Sequence, residues 1–86
     1  MTTNVEALIF DIINPLIEDH DKAKLVIEEG KDFMEYNLYL THNDAGYVIG
    51  KRGRIVGTIR NIVYSVRTEH EKRVRLNVFD LDELEG

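Results

Sequence analysis

Residues 46–59 read GYVIGKRGRIVGTI, and three cations crowd its centre: Lys51, Arg52 and Arg54 stand between and just after Gly50 and Gly53. A helical pattern follows at once, with Ile55, Val56, Ile59, Ile62, Val63 and Val66 recurring at helical spacing over an arc of about 120°. The N-terminus of a helix carries a partial positive charge, so each cation placed there is unfavourable by about 0.3–1 kcal/mol. A chain breaks local rules of this kind where function requires it. Three cations at such a point imply an anionic partner.

The rest of the chain sharpens that contrast. The 86 residues carry a formal net charge of −5, yet residues 51–75 hold eight Lys or Arg against Glu69 and Glu71, a balance of +6. The remainder stands at −11. Screening over about 8–10 Å at physiological salt lets a basic face act independently of a distant acidic one. Composition is that of an ordinary globular domain, 43% hydrophobic and 31% charged, so one domain over residues 1–86 is expected, with a core that is economical or shared with a partner. There is no Cys, which excludes disulfides and thiolate metal sites. No apolar run approaches the length of a membrane span, and the opening MTTNVEALIFD lacks the features of a secretory signal, so a cytoplasmic location is expected.

Outward from the glycines the elements follow one another without repeat or linker. Asn4–Ile17 has the helical spacing of Leu8, Ile9, Ile12, Ile13 and Leu16, with Asn4 or Thr3 as cap and Pro15 ending or bending it. Lys24–Glu28 and Phe33–Thr41 read as strands joined through EEGKD, where Gly30 suits a hairpin turn. Thr41–Asp44 offers caps for a brief helix that stops by Gly50, and a second helix is expected over Arg54–Glu69. Val74, Leu76 and Val78 alternate with polar residues as a half-buried strand, and residues 80–86 form an acidic, frayed tail. The order α-β-β-α-α-β predicts an α+β domain, a small sheet with helices on one face.

Competing glycine motifs fail on spacing. A Walker A loop needs four residues before its Gly-Lys pair and a hydroxyl after it; here three intervene between Gly46 and Gly50, and Arg52 follows Lys51. The Rossmann fingerprint needs a strand before its glycines, and here helices flank them. A two-residue turn between helices remains, able to bring backbone close to a sugar–phosphate chain. It is the GXXG arrangement with which KH domains clamp about four nucleotides.

With VIGKRGRIVGTI in this element order, the chain resembles the type II KH domains. Its length, the opening helix with NPLIED, GYVIGKRGR and the closing KRVRLNV together resemble the KhpA (YlqC) family of bacterial single-KH proteins. The resemblance spans nearly the whole chain and implies a three-stranded sheet and a small cytoplasmic RNA-binding protein of low sequence selectivity, acting like an RNA chaperone. It also implies a homodimer and pairing with a larger KhpB (EloR/Jag) protein, in a system linked to cell elongation and division. By position, Gly50, Lys51, Arg52 and Gly53 would form the clamp, Val48 and Ile49 an apolar groove for bases, and Arg54 a further phosphate contact. Gly57 departs from the pattern, because a longer side chain is ordinary inside that helix.

Other residues keep two readings at this point. Arg60 and Arg67 either widen the basic surface or form a solvated helix face. Ile55 and Ile62, a heptad apart at the edge of the apolar stripe, are either core or the packing surface for a second subunit. Tyr36 belongs to the core; Tyr39 is ambiguous, and Tyr47 lies near enough to the glycines to touch RNA. His20, His42 and His70 are isolated in sequence, so no metal site is expected, and no acidic residue has a catalytic spacing. Two functions are therefore weighed: an RNA-binding module that is no enzyme and needs no cofactor, and an adaptor that docks a KhpB-type partner with RNA contact secondary.

Overall fold

The computed structural model describes residues 3–68 and 70–85, apart from the side chains of Lys51, Leu84 and Glu85. Helix α1, Val5–Ile13, starts where Asn4 turns extended and its side chain accepts the Ala7 N–H. It is shorter than the pattern predicts: Asn14 closes the last turn onto Phe10, and Pro15 follows. A single 3-10 turn at His20–Lys22 leads into strand β1, Lys24–Glu29. Strand β2, Phe33–Leu40, pairs antiparallel with β1, and strand β3, Arg73–Asp80, pairs parallel with β2, giving the order β1-β2-β3. Between β2 and β3 lies helix α2, His42–Ser65.

The alternation of the strands decides the layers. Tyr36, Leu38 and Leu40 of β2 and Val74 and Leu76 of β3 are buried on one face. They meet Val5, Ile9 and Ile13 of α1 and Val48, Val56, Ile59 and Val63 of α2 in a single cluster. Burying each such side chain fully contributes about 1.5–3 kcal/mol relative to exposure. The helices thus cover one face of the sheet, as the α+β reading expects. The other face is held together across strands. Arg75 donates to both carboxylate oxygens of Glu35 and stacks its guanidinium 4.5 Å from the Phe33 ring centroid. Asn77 donates to Asn37, and Tyr39 stacks on Phe79 at 5.1 Å.

Two boundaries differ from expectation for local reasons. The helix expected to run to Glu69, a residue outside the described ones, ends at Ser65 because Val66 turns extended. Within the tail expected to fray, Leu81–Glu85 forms a short helix α3, its start held by Asp80, which accepts the Asp82 N–H at 2.9 Å. Gly86, the last residue of that expected tail, lies outside the described ones.

Candidate nucleic-acid interface

The predicted pair of helices is one helical span in extent, but its interior carries a break. Arg52 has φ 63° and Gly53 φ 73°, the only positive values among the described residues. A non-glycine residue with positive φ is uncommon and costs about 1–2 kcal/mol. Arg52 therefore adopts a conformation that local sterics oppose, beside a glycine that accepts it freely. The turn is anchored on its inner side: Val48, two residues before Gly50, is fully buried, and Val56, three residues after Gly53, is 6% exposed. The space outside is open. A Cβ built on Gly50 meets no atom within 4 Å, and one on Gly53 meets only a Val56 methyl, at 3.5 Å.

Exposure sorts the expected contact residues. Ile49 is 43% exposed, so it presents apolar surface at the turn, while Val48 points into the core and supports the turn from below. Arg52 and Arg54 are exposed, and their side chains form no hydrogen bond or ion pair with any described residue; the Arg54 carbonyl accepts the Thr58 hydroxyl at 2.9 Å. The expected role of the Lys51 side chain lies outside the described residues. Tyr47, 51% exposed, lies three residues before Gly50. Ile55 is half-buried against the core, and Ile62 is 41% exposed.

The remaining basic residues divide by what they touch. Arg60 donates through Nε to the Leu76 carbonyl at 3.0 Å, and Lys72 donates to Glu29 and to the Gly30 carbonyl. With Arg75 held by Glu35, these three have structural partners. Arg67 and Arg73 are exposed and have none among the described residues. The basic segment thus resolves into free cations at the turn and a second group where α2 ends. There, Tyr64, Arg73 and Phe33 help line a depression of about 500 Å³. Sequence spacing gives no sign of this depression, because it forms only when β3 returns alongside α2.

The structure also brings together residues that sequence keeps apart. His42 Nδ1 lies 2.6 Å from Asp80 Oδ2, and donor atoms of His42, Asp80 and Asp82 fall within 4.8 Å of one another. The hydrogen bond to Asp80 and its charge raise the His42 pKa, and the same hydrogen bond lowers that of Asp80. These groups satisfy each other at the junction of α2 with the end of β3. His70 contacts Tyr36, whose hydroxyl lies 2.6 Å from its Nε2.

The sequence matches the family model for the KhpA/KhpB KH domain over residues 6–78. It is similar to the protein named RNA-binding protein KhpA of Lactiplantibacillus plantarum, 43% identical over 77 residues, covering 90% of this chain and 91% of that protein. The protein of the same name from Streptococcus pneumoniae serotype 4 is 47% identical over 68 residues, covering 79% of this chain and 86% of that one. That of Bacillus subtilis is 32% identical over 77 residues, covering 90% and 95%. No helix among the described residues is long and apolar enough to cross a membrane.

Proposed function

The chain belongs to the KhpA/KhpB KH-domain family, and from that membership we propose that it binds single-stranded RNA, gripping the backbone at Gly50–Gly53 with little base selectivity. The observation that carries this reading is the outward-facing turn with successive positive φ at Arg52 and Gly53. Turns of this kind gather backbone N–H groups into a concavity suited to an anion. Open space over Gly50 admits a ribose–phosphate chain, Lys51, Arg52 and Arg54 supply charge, and Ile49 supplies an apolar surface for a base. Contacts to phosphate position a strand without reading its sequence, which accounts for low selectivity. The protein is on this reading a binding module in the cytoplasm, chaperone-like and not an enzyme.

The test is fluorescence anisotropy with a labelled RNA of mixed sequence. The double variant Lys51→Asp, Arg52→Asp abolishes binding while the circular dichroism spectrum stays that of the parent. The affinity of the parent falls with salt by about 0.7 log units per phosphate contact for each log unit of salt. Parent-like binding by the folded double variant overturns the clamp.

A second reading is favoured by Ile62, 41% exposed one heptad from half-buried Ile55. In it, α2 docks another KH domain, from a second copy or a KhpB-type chain, and the pair acts in cell elongation and division. Ile62→Asp then removes this contact and leaves RNA binding by the isolated chain unchanged.

A further inference from the structure

The cations of the basic segment are not gathered at one place. Lys51, Arg52 and Arg54 stand at the turn, whereas Arg73 opens β3, close to where α2 ends. Eleven residues separate Gly53 from Tyr64, about 16 Å along the helix axis. Past Arg54, the one cation on that stretch is Arg60, which donates to the Leu76 carbonyl. A clamp at the turn accounts for the first group and leaves Arg73 without a task. Its side chain is exposed and has no hydrogen-bond or ion-pair partner among the described residues.

Arg73 belongs to the wall of the depression of about 500 Å³ where β3 returns alongside α2. Val63, Val66 and Val74 give this depression an apolar lining, and Phe33 and Tyr64 are its aromatic residues. Three cations line it and no acidic side chain does. Two of the three are engaged, Lys72 by Glu29 and the Gly30 carbonyl, and Arg75 by Glu35. Arg73 is the cation left to meet the charge of a ligand. An apolar concavity of this size with one convergent charge suits a small anion that carries a ring.

The aromatic wall is set in advance. The Tyr64 hydroxyl accepts the Leu76 N–H at 3.1 Å, so the ring is held at its tip, yet the residue remains 48% exposed. A ring fixed in this way offers a flat apolar face with little rotamer freedom left to lose. The Phe33 ring already carries the Arg75 guanidinium at 4.5 Å, which leaves Tyr64 as the open stacking surface. The rim is tied as well: the Arg67 carbonyl accepts the Thr3 N–H at 2.7 Å, and Thr3 forms a bridge with Thr68, which lines the depression. Every nucleobase has a π-face, so stacking on such a ring tolerates any base. A fixed ring beside one free cation matches a nucleotide, with its base and its phosphate.

We propose that this depression is a second RNA contact, taking one nucleotide beyond those held at the turn, its base stacked on Tyr64 and its phosphate at Arg73. The strand between the two contacts meets no unpartnered cation on α2 past Arg54 and is not gripped there. The inference rests on the reading that the chain binds RNA, but not on the clamp at Gly50–Gly53.

The test is fluorescence anisotropy of the full chain with two mixed-sequence RNAs, a tetranucleotide and a strand of about twelve nucleotides. Arg73→Glu and Tyr64→Leu each weaken binding of the longer RNA by about tenfold and keep the circular dichroism spectrum of the parent. Their affinity for the tetranucleotide stays within about twofold of the parent's. Tyr64→Phe, which keeps the ring and loses the hydroxyl, binds the longer RNA like the parent, and so separates stacking from the hydrogen bond to Leu76. In NMR titrations the amides of Thr68 and Arg73 shift with the longer RNA and not with the tetranucleotide. Parent-like binding of the longer RNA by either Arg73→Glu or Tyr64→Leu overturns the proposal. So does an equal loss for the two RNAs, a Tyr64→Phe chain as weak as Tyr64→Leu, or Thr68 and Arg73 amides that the longer RNA leaves unmoved. The clamp is judged apart: if Lys51→Asp, Arg52→Asp binds both RNAs like the parent while Arg73→Glu still loses the longer one, the clamp falls and the second contact stands.

Discussion

The carboxylate of Asp44, 3% exposed, accepts the Glu18 N–H at 2.9 Å and, through its other oxygen, the Asp19 N–H at 3.0 Å. One residue in the first turn of α2 thereby holds the loop between α1 and β1, 25 residues away in sequence. Burial alone would raise its pKa, but the two amides and the Thr41 hydroxyl outweigh it and hold the group below the usual carboxylate range. A depressed native value means that Asp44 contributes stability above its ordinary value of 3.8, lost as pH falls through the native value. Asp44→Asn turns an NH₂ toward an amide donor and loses the charge, so unfolding free energy in urea falls by about 1–3 kcal/mol at neutral pH. The difference from the parent shrinks in acid. A variant as stable as the parent at neutral pH would show that the loop is held otherwise.

The His42–Asp80 pair has the opposite dependence on its histidine side. Its hydrogen bond to Asp80 raises the His42 pKa, so the contribution is fully present below 6.5 and fades as pH rises through the raised native value. The Asp80 carboxylate, lowered by the same bond, contributes above 3.8 and loses its part as pH falls through the native value. The pair therefore stabilises between these limits. Thermal melts of the parent and His42→Gln differ most between the ordinary carboxylate and imidazole values, 3.8 and 6.5, and converge as pH rises through the raised native value of His42. Because His42 is exposed, added salt narrows the gap. A gap that is constant over this range removes ionisation of His42 from the explanation.

How much of this was legible in the sequence depends on whether the cause is local. The α1 cap at Asn4 and the alternation of Val74, Leu76 and Val78 announce themselves within a few residues, and the structure shows both. The position of the glycine turn was legible too, but its conformation was not. Two separate helices were expected on either side, whereas the helical span continues through positive φ at Arg52, a non-glycine residue whose backbone state no propensity predicts. Pairings across long separations were also hidden. His42 looks isolated until the parallel pairing of β3 with β2 carries Asp80 to the start of α2. Likewise Arg60 reads as a solvated cation until β3 places the Leu76 carbonyl beside it.

Gly50 and Gly53 separate folding from binding. At Gly53 the positive φ of 73° penalises any side chain, so Gly53→Ala lowers stability by about 1–2 kcal/mol. At Gly50 no such φ applies and an added methyl meets no atom of the chain within 4 Å. Gly50→Ala therefore leaves stability equal or slightly raised, as expected for Ala in a helical position. Its effect falls on RNA, whose backbone would approach that open space, and anisotropy shows affinity reduced by about tenfold, near 1.4 kcal/mol. Undiminished RNA binding by Gly50→Ala would mean that the ligand keeps away from the turn.

Gly57 is the remaining oddity inside α2. A glycine in a helix interior is less favourable than Ala by about 0.8–1 kcal/mol, chiefly through backbone entropy. Some helical glycines are required because another segment packs against the bare backbone, but a Cβ on Gly57 meets nothing within 4 Å. Among the described residues, nothing therefore needs it. Gly57→Ala raises the unfolding midpoint by about 4–8 °C for each kcal/mol gained, in a domain of this size. RNA affinity, measured on the same samples, stays within about twofold of the parent, because the proposed clamp ends at Arg54. A gain in stability accompanied by a marked loss of affinity would place the RNA strand across the helix at Gly57, beyond the turn. A loss of stability would instead reveal that another chain packs against this glycine in the assembled protein.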